Sequence, residues 1–141
     1  MMVCAENGDC LELEPTLAYV DAPDFVLLAR IRFRGFAAEV DTRVLRAAWR
    51  GFVQELVVLE ERREGEAKLV GTSPEELSIV FRSADAEHMT VEGKVGARGE
   101  GFRASLDVSV RAFDAWQLDL FVREARKLSD HLNRPASRRA R

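Results

Sequence analysis

The stretch Phe102-Arg103-Ala104-Ser105-Leu106-Asp107-Val108-Ser109-Val110-Arg111 decides the fold class. Phe102, Ala104, Leu106, Val108 and Val110 alternate with Arg103, Ser105, Asp107, Ser109 and Arg111. Successive side chains of a strand point to opposite faces, so this is a strand with one face buried and the other in water.

Working outward, the same period of two recurs upstream. Phe25, Leu27, Ala29, Ile31 and Phe33 turn inward, with Arg30, Arg32 and Arg34 outward. Leu77, Ile79 and Phe81 alternate with Ser78, Val80 and Arg82, and Met89, Val91, Gly93 and Val95 with Thr90, Glu92 and Lys94. Shorter candidates are residues 10–19, interrupted by Pro15, then 36–40 and 67–70. Turn residues separate them: Asp21-Ala22-Pro23-Asp24, Gly71-Thr72-Ser73-Pro74, and the three glycines of 96–101. Gly35 marks a tight hairpin, or a bulge if the strand runs through. One-sided alternation joined by short loops describes an antiparallel sheet.

Two segments change period. Leu45, Trp49, Phe52, Leu56 and Leu59 recur at intervals of three and four, which predicts a helix from Asp41 or Thr42 to about Arg63, stopped by Gly65. Leu118, Phe121, Val122, Ala125, Leu128 and Leu132 predict a second helix over 114–132. Asp114 and Gln117 form a variant capping box there, and Phe113 with Leu118 a hydrophobic staple. The expected architecture is α+β: an antiparallel six- to seven-stranded sheet with two helices on one face, in the order β-β-β-α-β-β-β-β-α. Residues 10–132 form one domain, 1–9 a flexible N-terminus and 133–141 a basic, disordered tail. No internal repeat is visible.

With 141 residues, 47% hydrophobic and 32% charged, the chain has the composition of an ordinary globular domain. The uncharged run 25–29 falls far short of the roughly 20 residues of a membrane helix, so no membrane partner is expected. No basic stretch followed by an apolar one opens the chain, and arginine far outnumbers lysine, a coding bias of GC-rich genomes. A bacterial cytoplasm is the expected address. Cys4 and Cys10, six positions apart, fit neither a redox Cys-x-x-Cys nor half of a zinc site; a disulfide between them is the less favoured reading.

Side-chain chemistry yields no catalytic constellation and no cofactor motif, so no enzyme, cofactor or metal site is expected. Gly96, Gly99 and Gly101 precede a strand, which removes the helix terminus of a phosphate loop. Asp85, Glu87 and His88 could form a metal cluster, but a turn composition explains them equally well, and no site is expected there. The outward arginines Arg30, Arg32, Arg34, Arg82, Arg103 and Arg111 are interleaved with carboxylates and lack aromatic company. Cross-strand ion pairs explain them better than nucleic acid does. Arg134, Arg138, Arg139 and Arg141 lend the tail positive charge but no aromatic residue. The sharpest feature is Trp116 with Leu120. At 100° per residue they lie opposite the apolar stripe of their helix, four positions apart. Either they form an exposed patch of the kind found at protein interfaces, or Trp116, in the first turn, folds back onto a loop or the sheet edge.

The pattern as a whole resembles the WapI-type immunity-protein family of small bacterial proteins. The matching stretches are Leu28-Ala29-Arg30-Ile31-Arg32-Phe33-Arg34, Gly65-Glu66-Ala67-Lys68-Leu69, Leu77-Ser78-Ile79, His88-Met89-Thr90-Val91-Glu92-Gly93, and Leu106-Asp107-Val108 with the following helix. The resemblance covers about residues 10–132 and implies one α+β domain that binds and neutralises a cognate toxin domain, with no site residues to carry over. The expected function is therefore a non-enzymatic protein-binding module, which the resemblance makes an immunity protein, with Trp116 and Leu120 as partner-binding residues. The alternative is a homo-oligomeric structural or regulatory protein, in which the partner is the chain itself.

Overall fold

The computed structural model describes residues 1–18, 22–85, 87–99 and 102–134; the side chains of 17, 18, 33, 97–99 and 102–113 lie outside the description. Ten elements follow one another: β1 (Met2–Cys4), β2 (Cys10–Ala18), β3 (Asp24–Phe33), β4 (Phe36–Leu45), α1 (Arg46–Arg62), β5 (Glu66–Val70), β6 (Leu77–Ser83), β7 (His88–Gly99), β8 (Phe102–Asp114) and α2 (Ala115–Leu132). The α+β class, the antiparallel pairing and the two helices are as the periodicities predict. The strands, however, divide into two sheets, β1-β2-β3-β4 and β5-β6-β7-β8, where a single sheet was expected.

The extra strand is β1. Met2, Val3 and Cys4 pair with Glu12, Leu11 and Cys10, and Val3 is fully buried, so the expectation of a flexible 1–9 does not hold. The turn is what makes the pairing close. Ala5 N–H donates to Asp9 O at 2.8 Å and Gly8 N–H to Ala5 O at 3.0 Å, with Gly8 at φ 90°. This is a three-residue hairpin loop ending in a left-handed glycine. Asp9, nearly buried, accepts from the Asn7 amide and from the Arg34 N–H, tying this turn to the next one. There Arg34 and Gly35 both have positive φ (40° and 86°), which settles Gly35 as part of a two-residue hairpin turn between β3 and β4.

The first helix starts later than its caps suggest. Thr42 and Val44 are buried while Asp41, Arg43 and Leu45 are exposed, so the alternation of β4 continues past Asp41 and overrides the capping propensity of Asp41 and Thr42. Both helices then begin without a side-chain cap, after one extended residue: Leu45 (φ −66°, ψ 137°) and Asp114 (φ −65°, ψ 137°). Their first N–H groups are satisfied by backbone instead. Arg46 N–H donates to Pro23 O and Ala115 N–H to Glu87 O, both at 2.9 Å. Each acceptor stands immediately before the third strand of its own half. The capping box expected at Asp114 and Gln117 is not formed, and the staple residue Phe113 lies outside the described side chains.

The chain is thus a ββββα unit made twice, a repeat the sequence does not display. Trp49, Phe52, Val53 and Leu56 of α1 and Leu118, Phe121, Val122 and Ala125 of α2 are buried at matching positions after their strands. The helices run antiparallel, with the Arg46 guanidinium donating to Leu132 O and Arg50 to the Asn133 side chain at 2.9 Å. One continuous core joins both sheets and both helices. Phe25, Trp49, Phe52, Phe81 and Phe121 form a chain of ring contacts through it, with centroids 5.1–6.0 Å apart. The sheets meet where Thr72 N–H donates to Arg43 O at 2.8 Å, beside Gly71, where a Cβ would lie 3.0 Å from Thr42 Oγ1 and 3.2 Å from Arg43 O.

Candidate protein-binding surface

The apolar stripe of α2 faces the core, and Trp116 and Leu120 point the other way, 62% and 46% exposed. The exposure is what helical spacing predicts. Trp116 Nε1–H donates to Asp114 Oδ2 at 3.3 Å, which orients the indole against the strand end. Between the two residues, Gln117 turns toward β1. Its Oε1 accepts the Cys4 N–H at 2.7 Å and its Nε2 donates to the Cys4 O at 2.8 Å. The amide thereby completes the unpaired edge of β1 as a further strand residue would. Glu124 ion-pairs with the Met1 amino group at 3.0 Å, a second tie between α2 and the first strand.

On its other flank α2 faces α1. Asp119 bonds Arg123 at 3.2 Å and meets Glu60 of α1. Burial, and then the hydrogen bond with Asp119, push the Glu60 carboxyl above its ordinary range, against the opposing pull of Arg63 and Arg126. The patch therefore rests on a helix fixed on both sides. A patch on a helix held this way needs little backbone ordering on binding.

The other candidates resolve into structure. Arg30 of β3 spans Glu12 and Glu14 of β2 and Glu39 of β4 at 2.9–3.3 Å, and Arg82 of β6 spans Glu66 and Glu92 at 2.9–3.0 Å. These are the expected cross-strand ion pairs, worth little each at such exposure. The Arg103 and Arg111 side chains and residues 135–141 lie outside the described residues, so the expected disordered tail is seen only as far as Arg134. His88 Nδ1 lies 3.0 and 3.1 Å from the Asp85 carboxylate. Asp85 also accepts the Glu87 and His88 N–H groups, and the bond from Glu87 leads in holding it below its ordinary range. Asp85 thus organises the turn into β7. Among the described residues no group of three His, Cys, Asp or Glu side chains is placed to hold a metal ion. Nor is any helix among them long and apolar enough to cross a membrane.

One covalent feature goes against the expectation from sequence: Cys4 and Cys10 form the disulfide that the sequence disfavours. They are directly opposed in the β1–β2 register, 4.2 Å apart at Cα, the spacing of a pair without mutual backbone bonds. The readable signal was Asn7-Gly8 between them, a hairpin turn that brings the cysteines face to face. The role of Gln117 had no such signal, because its partner is a backbone far away in sequence. Compared with protein-family models, with curated proteins and with solved structures, the chain matches none.

Proposed function

We propose that this chain is a non-enzymatic protein-binding module that engages its partner through Trp116 and Leu120, and that it serves as an immunity protein covering the active surface of a toxin domain. The observation that carries the reading is a comparison within the molecule. At the positions where α2 has Trp116 and Leu120, counted from the start of each helix, α1 has Ala47 and Gly51. The repeated unit folds with small residues there. The large apolar pair on α2 is therefore not a requirement of the fold, and a partner that buries it is the physical reason to keep it. A net charge of −3 favours a basic partner through faster, steered association. The toxin-neutralising role adds the resemblance of 10–132 to WapI-type immunity proteins.

The test is a pull-down with wild-type chain and Trp116→Asp as baits, followed by titration of any stoichiometric partner into an assay of that partner's toxicity. The reading expects inhibition in proportion to added chain and a loss of affinity of about 30-fold or more for Trp116→Asp, the cost of a hot-spot aromatic. Equal affinity of both baits removes the patch. A captured partner that is not inhibited removes the immunity role. Recovery of the chain alone, together with light scattering that shows a dimer, transfers the patch to self-association.

A further inference from the structure

The outer face of the first sheet contains an arrangement that the binding surface does not use. Cys4, Cys10, Arg32 and Ala37 stand in one row across β1, β2, β3 and β4, each opposite the next. In the neighbouring row Arg30 takes up three carboxylates. No carboxylate among the described residues pairs with Arg32; its lateral neighbours are Cys10 and the small Ala37. The row borders an open hollow of 270 Å³ lined by Met2, Cys10, Arg30, Arg32, Ala37 and Glu39, among others. Both cysteines are only half-buried.

As a staple this disulfide has little to do. Cross-linking stabilises by closing a loop the unfolded chain would leave open, and the gain grows with loop length. Here the loop is a short hairpin, already closed by its own backbone bonds and by the Asn7–Asp9 contacts. A guanidinium without a carboxylate, opposite one sulfur, stabilises the thiolate of that cysteine.

We propose that Cys4–Cys10 is a thiol–disulfide exchange site for a dithiol reductant, with Arg32 as the charge partner of the departing Cys10 thiolate. The reductant's thiolate attacks the half-buried Cys4 Sγ in line with the disulfide, from the side away from Cys10. The Cys4–Cys10 bond breaks and its electron pair leaves on Cys10 Sγ, facing Arg32. The second thiol of the reductant, after losing its proton, then attacks its own sulfur in the mixed disulfide and expels Cys4 as a thiolate. The reductant gives up two electrons and two protons and becomes a disulfide; the protein gains them as two thiols, by way of solvent. Reduction removes the cross-link while the backbone bonds of Cys4 to Gln117 stay in place, so the exchange proceeds on the folded protein.

The experiment treats folded protein with dithiothreitol, quenches with iodoacetamide and counts modified cysteines by mass spectrometry. Wild type, Arg32→Gln and Arg32→Lys are compared, and the global unfolding rate is measured in parallel. The proposal expects native-state reduction faster than unfolding, slowed roughly threefold or more in Arg32→Gln and restored in Arg32→Lys, because a less stabilised thiolate leaves more slowly. In reduced wild type the alkylation of Cys10 should titrate below the ordinary thiol range of about 8.5, and shift upward in Arg32→Gln. Reduction no faster than unfolding, a smaller ratio, or a Cys10 titration that Arg32→Gln leaves unmoved would each overturn it.

Discussion

The two halves of the chain, β1 through α1 and β5 through α2, share strand order, helix entry and buried helix positions, and they part company on their outer surfaces. In the second half the helix carries Trp116 and Leu120; in the first it carries Ala47 and Gly51. In the first half the leading hairpin is closed by a disulfide; the second has no cysteine. What the halves share is what packing requires, and where they differ the fold has left a choice open. Function is to be sought among the differences.

Two helical tryptophans test that division most strongly. Trp49 is buried against Phe25 and Phe52, so Trp49→Ala should cost about 3–5 kcal/mol in urea denaturation. Trp116→Ala should stay within about 0.5 kcal/mol of wild type, as an exposed substitution does. If the second costs as much as the first, Trp116 is structural and the contrast between the halves collapses. Next in size is the seam between the sheets. Gly71→Ala places a methyl against Thr42 and the Arg43 carbonyl and should lower stability by about 1–3 kcal/mol; a midpoint equal to wild type would mean that the halves slide apart at little cost.

Gln117→Ala leaves the Cys4 backbone without its two partners and should cost about 1–2 kcal/mol, with faster amide exchange confined to β1. Uniform exchange across both sheets would show that this tie is not local. The smallest effect concerns Glu60. Its carboxyl is raised, so its contribution is fully present below the ordinary carboxylate range and is lost as pH rises through the shifted value. Glu60→Gln should therefore melt slightly higher than wild type at pH 7, and the difference should fade on acidification; a difference constant with pH would remove the Glu60–Asp119 contact from the account.

Much of this was legible in residue order. Strands such as Phe25–Ile31 and Leu77–Phe81 announce themselves because burial on one face is a local, two-residue rhythm. The exposed position of Trp116 follows just as directly from helical spacing. What escaped depends on contacts between distant segments. β1 is too short to show a rhythm, and its pairing rests on a turn and on Gln117. The division into two sheets is set by where β4 ends and α1 begins, and the burial of Thr42 there is a tertiary fact. The repeat was hidden because the halves match in burial and topology while their residues differ: Trp49 against Leu118, Leu56 against Ala125.

The bond between Cys4 and Gln117 joins residues 113 positions apart, and this distance is also a delay. At about 5–20 residues per second, roughly 6–23 s separate the synthesis of the two. Through that interval the cysteines can already meet, because their turn is local. The inner faces of β2 and β3, with Leu11, Leu13, Leu27 and Ile31, belong to a core whose other half is still to be made. The nascent first half thus spends those seconds as an incomplete sheet, and whatever shields it then shapes the yield of the finished protein as much as any contact in it.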